Sequence, residues 1–579
     1  MTIQQALLSG DEAVARGAWE SGLRVACAYP GTPSTEILET LAGFKEIDAQ
    51  WSVNEKVAFE VALGAAIAGA RSLYASKHVG LNVAMDPLMT SSYTGINAGF
   101  VAVVCDDPGL ASSQNEQDSR WVAPFSKLPM IEPASPAEAY LFAEAAFTIS
   151  ESFDTPVLFR MTTRVAHTKE NVVTGSRREI ALKPFATDIA KYVMVPRNAY
   201  QKHALIEKRL LKLAAFSETS KLNILEKGDT AKLGFITSGV AYQYLKEQYP
   251  DASFLKLGFI YPFCDKKIAR FAQSVKELVV VEELDPIIER HVASLGLKYR
   301  TKHSSFRIGE LLPEHMPVIV KGGRKKEVPS TARKPVLCPG CPHRFVFSVL
   351  KRNKAIVTGD IGCYTLGATP PLSTLHTCVC MGAAVTFHEG FRRVLPNGKI
   401  VGVLGDSTFV HSGITGLINA AYNGVKGVII ILDNSTTAMT GGQNHPATGK
   451  TIRDEPTKRL DLEAICAASG ADNVDVIDPK DIRRLDALLK QRLAEPALSV
   501  IIARRPCKLI DRERLPMPLY SMEKCKTCGL CFGLDCPALG KTAEGYVTIN
   551  ESLCAGCYLC AETCPTDALT DSSKTGSCT

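Results

Sequence analysis

The sequence of 579 residues contains no run of 18 apolar residues, so no segment of it reads as a membrane-spanning helix. Its opening, MTIQQALLSGDEAVARG, lacks a charged segment followed by a long apolar stretch, and the expectation is a cytoplasmic protein without a secretory leader. No dense basic run is present, and 66 Lys+Arg against 60 Asp+Glu leave a net charge of only +6. Neither nucleic acid nor a membrane surface is an expected partner. Bias toward disorder is missing too, since hydrophobic residues make up 46% and charged residues 22%, close to soluble globular averages. At about 150 residues per domain the length points to roughly four domains.

Cysteine, by contrast, is abundant. Nineteen cysteines in a chain read as cytoplasmic favour metal binding over disulfides. Eight form a repeat: Cys525, Cys528, Cys531 and Cys536-Pro537, then Cys554, Cys557, Cys560 and Cys564-Pro565. In such a run three thiolates serve one cubane, and the fourth, before proline, reaches the other cluster. The spacing therefore predicts two 4Fe-4S clusters with exchanged fourth ligands, one on Cys525, Cys528, Cys531 and Cys564, the other on Cys554, Cys557, Cys560 and Cys536. The first run has four residues before Cys536 where the common bacterial run has three. A pair of zinc sites is the alternative, although zinc ribbons show two Cys pairs.

Along the rest of the chain strands and helices alternate, which argues for α/β domains with parallel sheets. Residues 1–166 hold the strands GLRVACAYP, FVAVVC and PVLFRM and the helices TEILETLAGF and FEVALGAAIAGA. Residues 167–231 lose the pattern and read as a connecting segment with a basic helix, KHALIEKRLLKLAAF. Alternation resumes over 232–320 with LGFITSG, AYQYLKEQ, FLKLGF and ELVVVEEL. A polar stretch, 321–335, reads as a linker. A third α/β unit spans 336–512, with the strands AIVTGD, KIVGVLGD, GVIIILDN and SVIIARR, and the Cys-rich unit occupies 515–579.

Two of those strands end in Gly405-Asp406-Ser407 and Asn434. Side chains at the carboxyl edge of a parallel sheet face the place where doubly wound folds bind ligands, and Mg²⁺ takes oxygen ligands together with diphosphate oxygens. The segment resembles the Gly-Asp-Gly…Asn motif of thiamine diphosphate enzymes, with Ser407 replacing the second Gly. By that resemblance Asp406, Asn434 and the backbone carbonyl of Thr436 hold Mg²⁺. The thiamine aminopyrimidine also needs a carboxylate at the start of a closely packed helix. Glu55 in NEKVAFEVALGAAIAGA is the candidate catalytic residue, with Gly64, Ala65 and Gly69 allowing close approach; Glu60 is its rival, and the position of Gly64 relative to Glu55 favours the latter.

AYPGTPSTE, LCPGCPHR, GDIGCYTLG, GDSTFVHSG and LDNSTTAMTGGQ, together with the two-cluster tail, resemble the large subunits of indolepyruvate:ferredoxin oxidoreductases in the 2-oxoacid:ferredoxin oxidoreductase superfamily. The resemblance implies a pyrimidine-binding-type thiamine domain at 1–166, a transketolase-C-like domain at 232–320, a diphosphate-binding-type thiamine domain at 336–512 and a ferredoxin-like domain at 515–579. It implies a third 4Fe-4S cluster on Cys338, Cys341, Cys363 and Cys507, which otherwise read as buried or reactive thiols. Thr32 then meets the substrate carboxylate, or else caps a turn. His78, Gln114, Asn115, His343 and His411 are polar members of the motifs, each otherwise structural. Met439, where pyruvate-using relatives place Asn, packs on an aromatic substrate or merely fills space behind the thiazolium. Coenzyme A as co-substrate, ferredoxin as acceptor, a separately encoded small subunit of beta/gamma type and a dimer of heterodimers are the implied partners. The alternatives are a ferredoxin-like scaffold that binds no thiamine and a non-oxidative decarboxylase.

Overall fold

The segments SLYASK, FVAVVCD and VLFRMT are buried along their whole length, as strands covered on both faces must be. They pair in parallel in the computed structural model of the chain. The structure describes residues 4–229, 232–326, 335–511 and 514–572; residues 327–334 of the expected linker lie outside them. Two compact units are present, residues 1–329 and 330–579.

The first unit is built on a seven-stranded sheet in the order Phe259–Tyr261, Met130–Ile131, Val157–Thr162, Phe100–Asp106, Ser72–Lys77, Val25–Ala28, Asp48–Trp51. All pairings are parallel except that of Phe259–Tyr261 with Met130–Ile131. Its helices start on local signals. Ser9 makes a capping box with Glu12 ahead of Gly10–Glu20, Asn54 caps Glu55–Ala68, and Ser135 followed by Pro136 opens Pro136–Phe153, each side chain accepting an orphan backbone N–H.

A second sheet of this unit runs Arg300–Thr301, Glu277–Val281, Leu233–Thr237, Ser253–Lys256, Ile224–Glu226. The expected strand FLKLGF is in fact two. Ser253–Lys256 stays in this sheet and Phe259–Tyr261 crosses to the larger one. Gly258 makes the crossing: a Cβ there would sit 2.4 Å from the Leu222 carbonyl oxygen and 2.8 Å from the Phe142 ring. One apolar cluster accordingly runs from Phe59 and Phe100 through Leu257 and Ile260 to Val280 and Val292. The segment read as connecting carries structure of its own, the strand Lys169–Thr174 antiparallel to Gln4–Ser9 and the helix Pro196–Thr219.

The second unit holds a fully parallel sheet, ordered Ile356–Thr358, Ile400–Gly405, Gly427–Asp433, Leu498–Arg504, Asn473–Ile477. In the Cys-rich tail two short antiparallel pairs, Leu519–Tyr520 with Leu569–Thr570 and Leu539–Lys541 with Val547–Ile549, are the regular strands. The outer pair brings the end of the tail back to its beginning. Buried Arg344, from helix His343–Arg352, donates to the Leu534 and Asp535 carbonyls at 2.5 Å each and ties the tail to the α/β body.

Candidate active site and thiol cages

Strand Val25–Ala28 has Asp48–Trp51 on one side and Ser72–Lys77 on the other, so the chain reverses its direction of winding between Val25–Ala28 and Ser72–Lys77. Ligands in open α/β sheets bind outside the carboxyl ends at such a switch point. The residues delivered there are the turn after Ala28, which contains Thr32, and the pair Lys77-His78. Thr32 is half-buried and its carbonyl accepts from Ser112 Oγ at 3.1 Å. His78 is buried; its Nε2 lies 3.2 Å from the Asn115 carbonyl, and burial pushes its pKa down. Asp107 accepts from Ser112 N, Ser113 Oγ and Thr163 Oγ1 at 2.8, 2.7 and 3.1 Å, which folds the loop holding Gln114 and Asn115 over the edge.

Glu55 opens its helix and is buried, whereas Glu60 is exposed and paired with Lys56. That difference separates the two candidates. The glycine that lies against Glu55 is Gly80, not Gly64: a Cβ on Gly80 would fall 2.5 Å from Glu55 Oε1, while one on Gly64 would meet nothing within 4 Å. Gly64 is exposed, so the helix period alone assigned the close approach to the wrong element. Gly69 ends the helix at φ +111°, and a Cβ there would strike the Lys183 carbonyl.

In the second unit Asp406, Ser407, Asn434 and Thr436 are all buried and come together. Asp406 Oδ1 accepts from Ser407 N at 2.8 Å and Oδ2 from Ser435 N at 2.9 Å. Asn434 Oδ1 accepts from Thr436 N at 3.3 Å. Ser407 in place of Gly costs nothing here because Asp406–Thr408 is right-handed helix, and its Oγ accepts from Thr437 Oγ1 at 3.0 Å. Around Asp406 lie groups that the motif does not name. His445 Nε2 is 3.3 Å from Oδ2. Burial lowers His343 to about 4 even with Asp406 near. Asp433 is pushed up by burial and by the Asp406 carboxylate beside it, against the pull of Arg504 at 2.6 Å. Two buried acids in contact concentrate negative charge that a divalent cation would neutralise, so these oxygens fit Mg²⁺. His411 Nδ1 contacts Ser412 Oγ at 2.7 Å, and Met439 is half exposed.

The tail encloses two cavities. One is lined by Cys525, Cys528, Cys531 and Cys564, the other by Cys536, Cys554, Cys557 and Cys560; the fold gathers the sets that the repeat spacing names. Cys338, Cys341, Cys363 and Cys507 form a third group of neighbours. Burial pushes Cys341 to about 12 and Cys363 to about 11, with nearby thiols adding to the rise. Cys507 N donates to the Asn434 carbonyl at 3.0 Å, which sets this group against the Asp406 loop. Gly340, at φ +73°, lies against the second cage, where a Cβ would be 2.8 Å from Ala555 Cβ. Among the described residues no three of these thiols come within 4.8 Å of one another.

Three family descriptions match: "Pyruvate flavodoxin/ferredoxin oxidoreductase, thiamine diP-bdg" over 16–208, "Thiamine pyrophosphate enzyme, C-terminal TPP binding domain" over 360–503, and "4Fe-4S binding domain" over 547–570. The indolepyruvate oxidoreductase subunit IorA of Archaeoglobus fulgidus is 38% identical, covering 98% of this chain and 97% of its own. The chain belongs to the indolepyruvate oxidoreductase subunit IorA family. The IorA of Pyrococcus horikoshii is 37% identical over 97% of this chain and 96% of the relative. A solved 2-oxoglutarate:ferredoxin oxidoreductase from Magnetococcus marinus aligns with a TM-score of 0.47 at 17% identity, covering 55% of this chain and 65% of that one. The chain is a thiamine-diphosphate-dependent oxidoreductase subunit carrying a 4Fe-4S domain in a multi-domain α/β frame. Among the described residues no helix is long and apolar enough to cross a membrane.

Proposed function

We propose that the chain, with a separately encoded small subunit, converts an aryl pyruvate of the indolepyruvate type and coenzyme A into the aryl-acetyl-CoA and CO₂. Two electrons and one proton are released, and the electrons leave singly through 4Fe-4S clusters to ferredoxin. The observation that carries this reading is the hydrogen bond from Cys507 N to the Asn434 carbonyl at 3.0 Å, which puts the thiol group proposed as the electron outlet next to the loop proposed to hold the cofactor diphosphate. A non-oxidative decarboxylase has no use for that arrangement, and a plain electron carrier has no use for the Asp406 loop.

Thiamine diphosphate, when bound, supplies the carbanion that lets CO₂ leave. Gly405, Asp406, Ser407, Asn434 and Thr436 hold its diphosphate, with Asp406, Asn434 and the Thr436 carbonyl on Mg²⁺. Glu55 holds and moves the proton of the aminopyrimidine ring; its burial beside Gly80 supports that role. Thr32, His78 and Met439 bind substrate. Clusters occupy the Cys338, Cys341, Cys363, Cys507 group, then the cage of Cys536, Cys554, Cys557 and Cys560, then that of Cys525, Cys528, Cys531 and Cys564. The two Cys-x2-Cys-x2-Cys runs, each with a further Cys before proline, support cubanes over zinc, whose ribbons use two Cys pairs. Residues 1–166 and 336–512 are the pyrimidine and diphosphate domains in this reading, 232–320 the transketolase-C-like domain, 515–579 the ferredoxin-like one. Anaerobic assay of the two-subunit complex tests the reaction. Acceptor reduction should require both the aryl pyruvate and coenzyme A, and release of free aldehyde without acceptor reduction would refute the oxidative reading.

A further inference from the structure

The substrate of that reaction is an anion, and it must enter a site that already holds the Glu55 carboxylate. A protein cation beside it would offset that repulsion. Most buried cations of the first unit are already committed. Arg120 pairs with Asp118 and Glu282, Arg160 with Asp106 and Glu132, Lys256 with Glu138, and Lys302 donates to the Glu282 and Leu284 carbonyls. Lys77 differs. It is buried, ends the strand at the switch point, and among the described residues its ammonium makes one hydrogen bond, to the Ser112 carbonyl at 2.8 Å. Two of its three protons remain for a ligand.

Its surroundings are those of a substrate site. The stem runs along the turn that carries Thr32, where a Cβ on Gly31 would lie 3.3 Å from Lys77 Cγ and Cδ. The Ser112 that accepts from Lys77 donates through Oγ to the Thr32 carbonyl at 3.1 Å. We propose that Lys77 binds the carboxylate of the 2-oxoacid, with the turn at Thr32 closing over it. This inference rests on the reading of the chain as a 2-oxoacid oxidoreductase. Burial lowers the Lys77 pKa to about 8, while Asp107 and Glu55 oppose the drop, so the ammonium stays charged at neutral pH and its two remaining protons can reach a carboxylate with the Ser112 contact kept.

The test compares wild type, Lys77→Gln and Lys77→Arg in the two-subunit complex, after thiamine and iron contents are shown to match. Binding is measured by calorimetry for indole-3-propionate and for its neutral amide, so the readout does not depend on turnover, and KM and kcat for indolepyruvate are measured alongside. Lys77→Gln should weaken the acid by roughly ten- to a hundredfold, the usual range for a hydrogen bond to a charged group, raise KM in parallel, and leave the amide within twofold. Lys77→Arg should recover part of the loss. Equal loss of acid and amide, or no loss of acid, would overturn the inference; if Lys77→Gln does not fold, the same ratio measured in Lys77→Arg decides, since a preserved charge must preserve preference for the acid. Acid binding through Lys77 without turnover of any 2-oxoacid by wild type would refute the proposed reaction alone.

Discussion

At the scale of single residues, the pair Glu55 and Gly80 bears most directly on catalysis. An amide in place of the Glu55 carboxylate cannot take up or return a proton, so Glu55→Gln should lower kcat by about a hundredfold or more while thiamine and iron contents hold. A near wild-type rate would move the role to another acid. Gly80→Ala reaches the same carboxylate by geometry: its Cβ would fall 2.5 Å from Glu55 Oε1, and such overpacking costs typically about 1–3 kcal/mol. Turnover should drop because Glu55 is displaced, and a crystal structure of the variant checks the displacement. Glu55 was legible as the start of a capped helix, but Gly80 was not, because the contact joins two helices that sequence periodicity treats separately. Lys77 escaped notice for a related reason. A lysine in an otherwise apolar strand reads as a solvated end until the strand order shows that this end lies at the switch point.

Among secondary elements, the parallel strands were readable because burial on both faces demands unbroken apolar runs. What the runs could not show is the crossing at Gly258, since FLKLGF is apolar in either sheet and the kink depends on the Leu222 carbonyl and the Phe142 ring. The ion network joining the two sheets of the first unit was equally hidden, its members being scattered from Asp106 to Glu282. Arg120 sits at its centre, fully buried. Arg120→Ala should destabilise this unit by about 3–5 kcal/mol, the penalty for stranding buried carboxylates, read as a shift in the denaturation midpoint. The Cys repeat, by contrast, declared its own topology through spacing. If the fourth ligands are exchanged, Cys536→Ala combined with Cys554→Ala should lose about four irons, because both belong to one cage, whereas Cys536→Ala with Cys525→Ala should lose about eight. Reversal of those two counts would mean that each run keeps its own fourth cysteine.

For the whole molecule, the proposed clusters would make a route. The Cys338 group touches the Asp406 loop through Cys507, and its Gly340 lies against the cage that contains Cys554. An anaerobically prepared chain should therefore hold close to twelve irons, three cubanes of four, and a count near eight would leave the Cys338 group empty. Which acid feeds this route is the question on which sequence patterns bear least, because Met439 is half exposed in the chain alone and specificity arises from apolar surface around the substrate. A thioether suits an aromatic ring and gives a small polar acid nothing. With the small subunit present, kcat/KM for indolepyruvate and phenylpyruvate should exceed that for pyruvate and 2-oxoglutarate by a few kcal/mol of transition-state binding, roughly tenfold for each 1.4 kcal/mol. Met439→Asn should narrow that gap by lowering the aryl values rather than raising the others. If pyruvate or 2-oxoglutarate proved the better substrate of the wild-type complex, Met439 would have no part in selecting the ring, and the pocket would have to be sought on the small subunit.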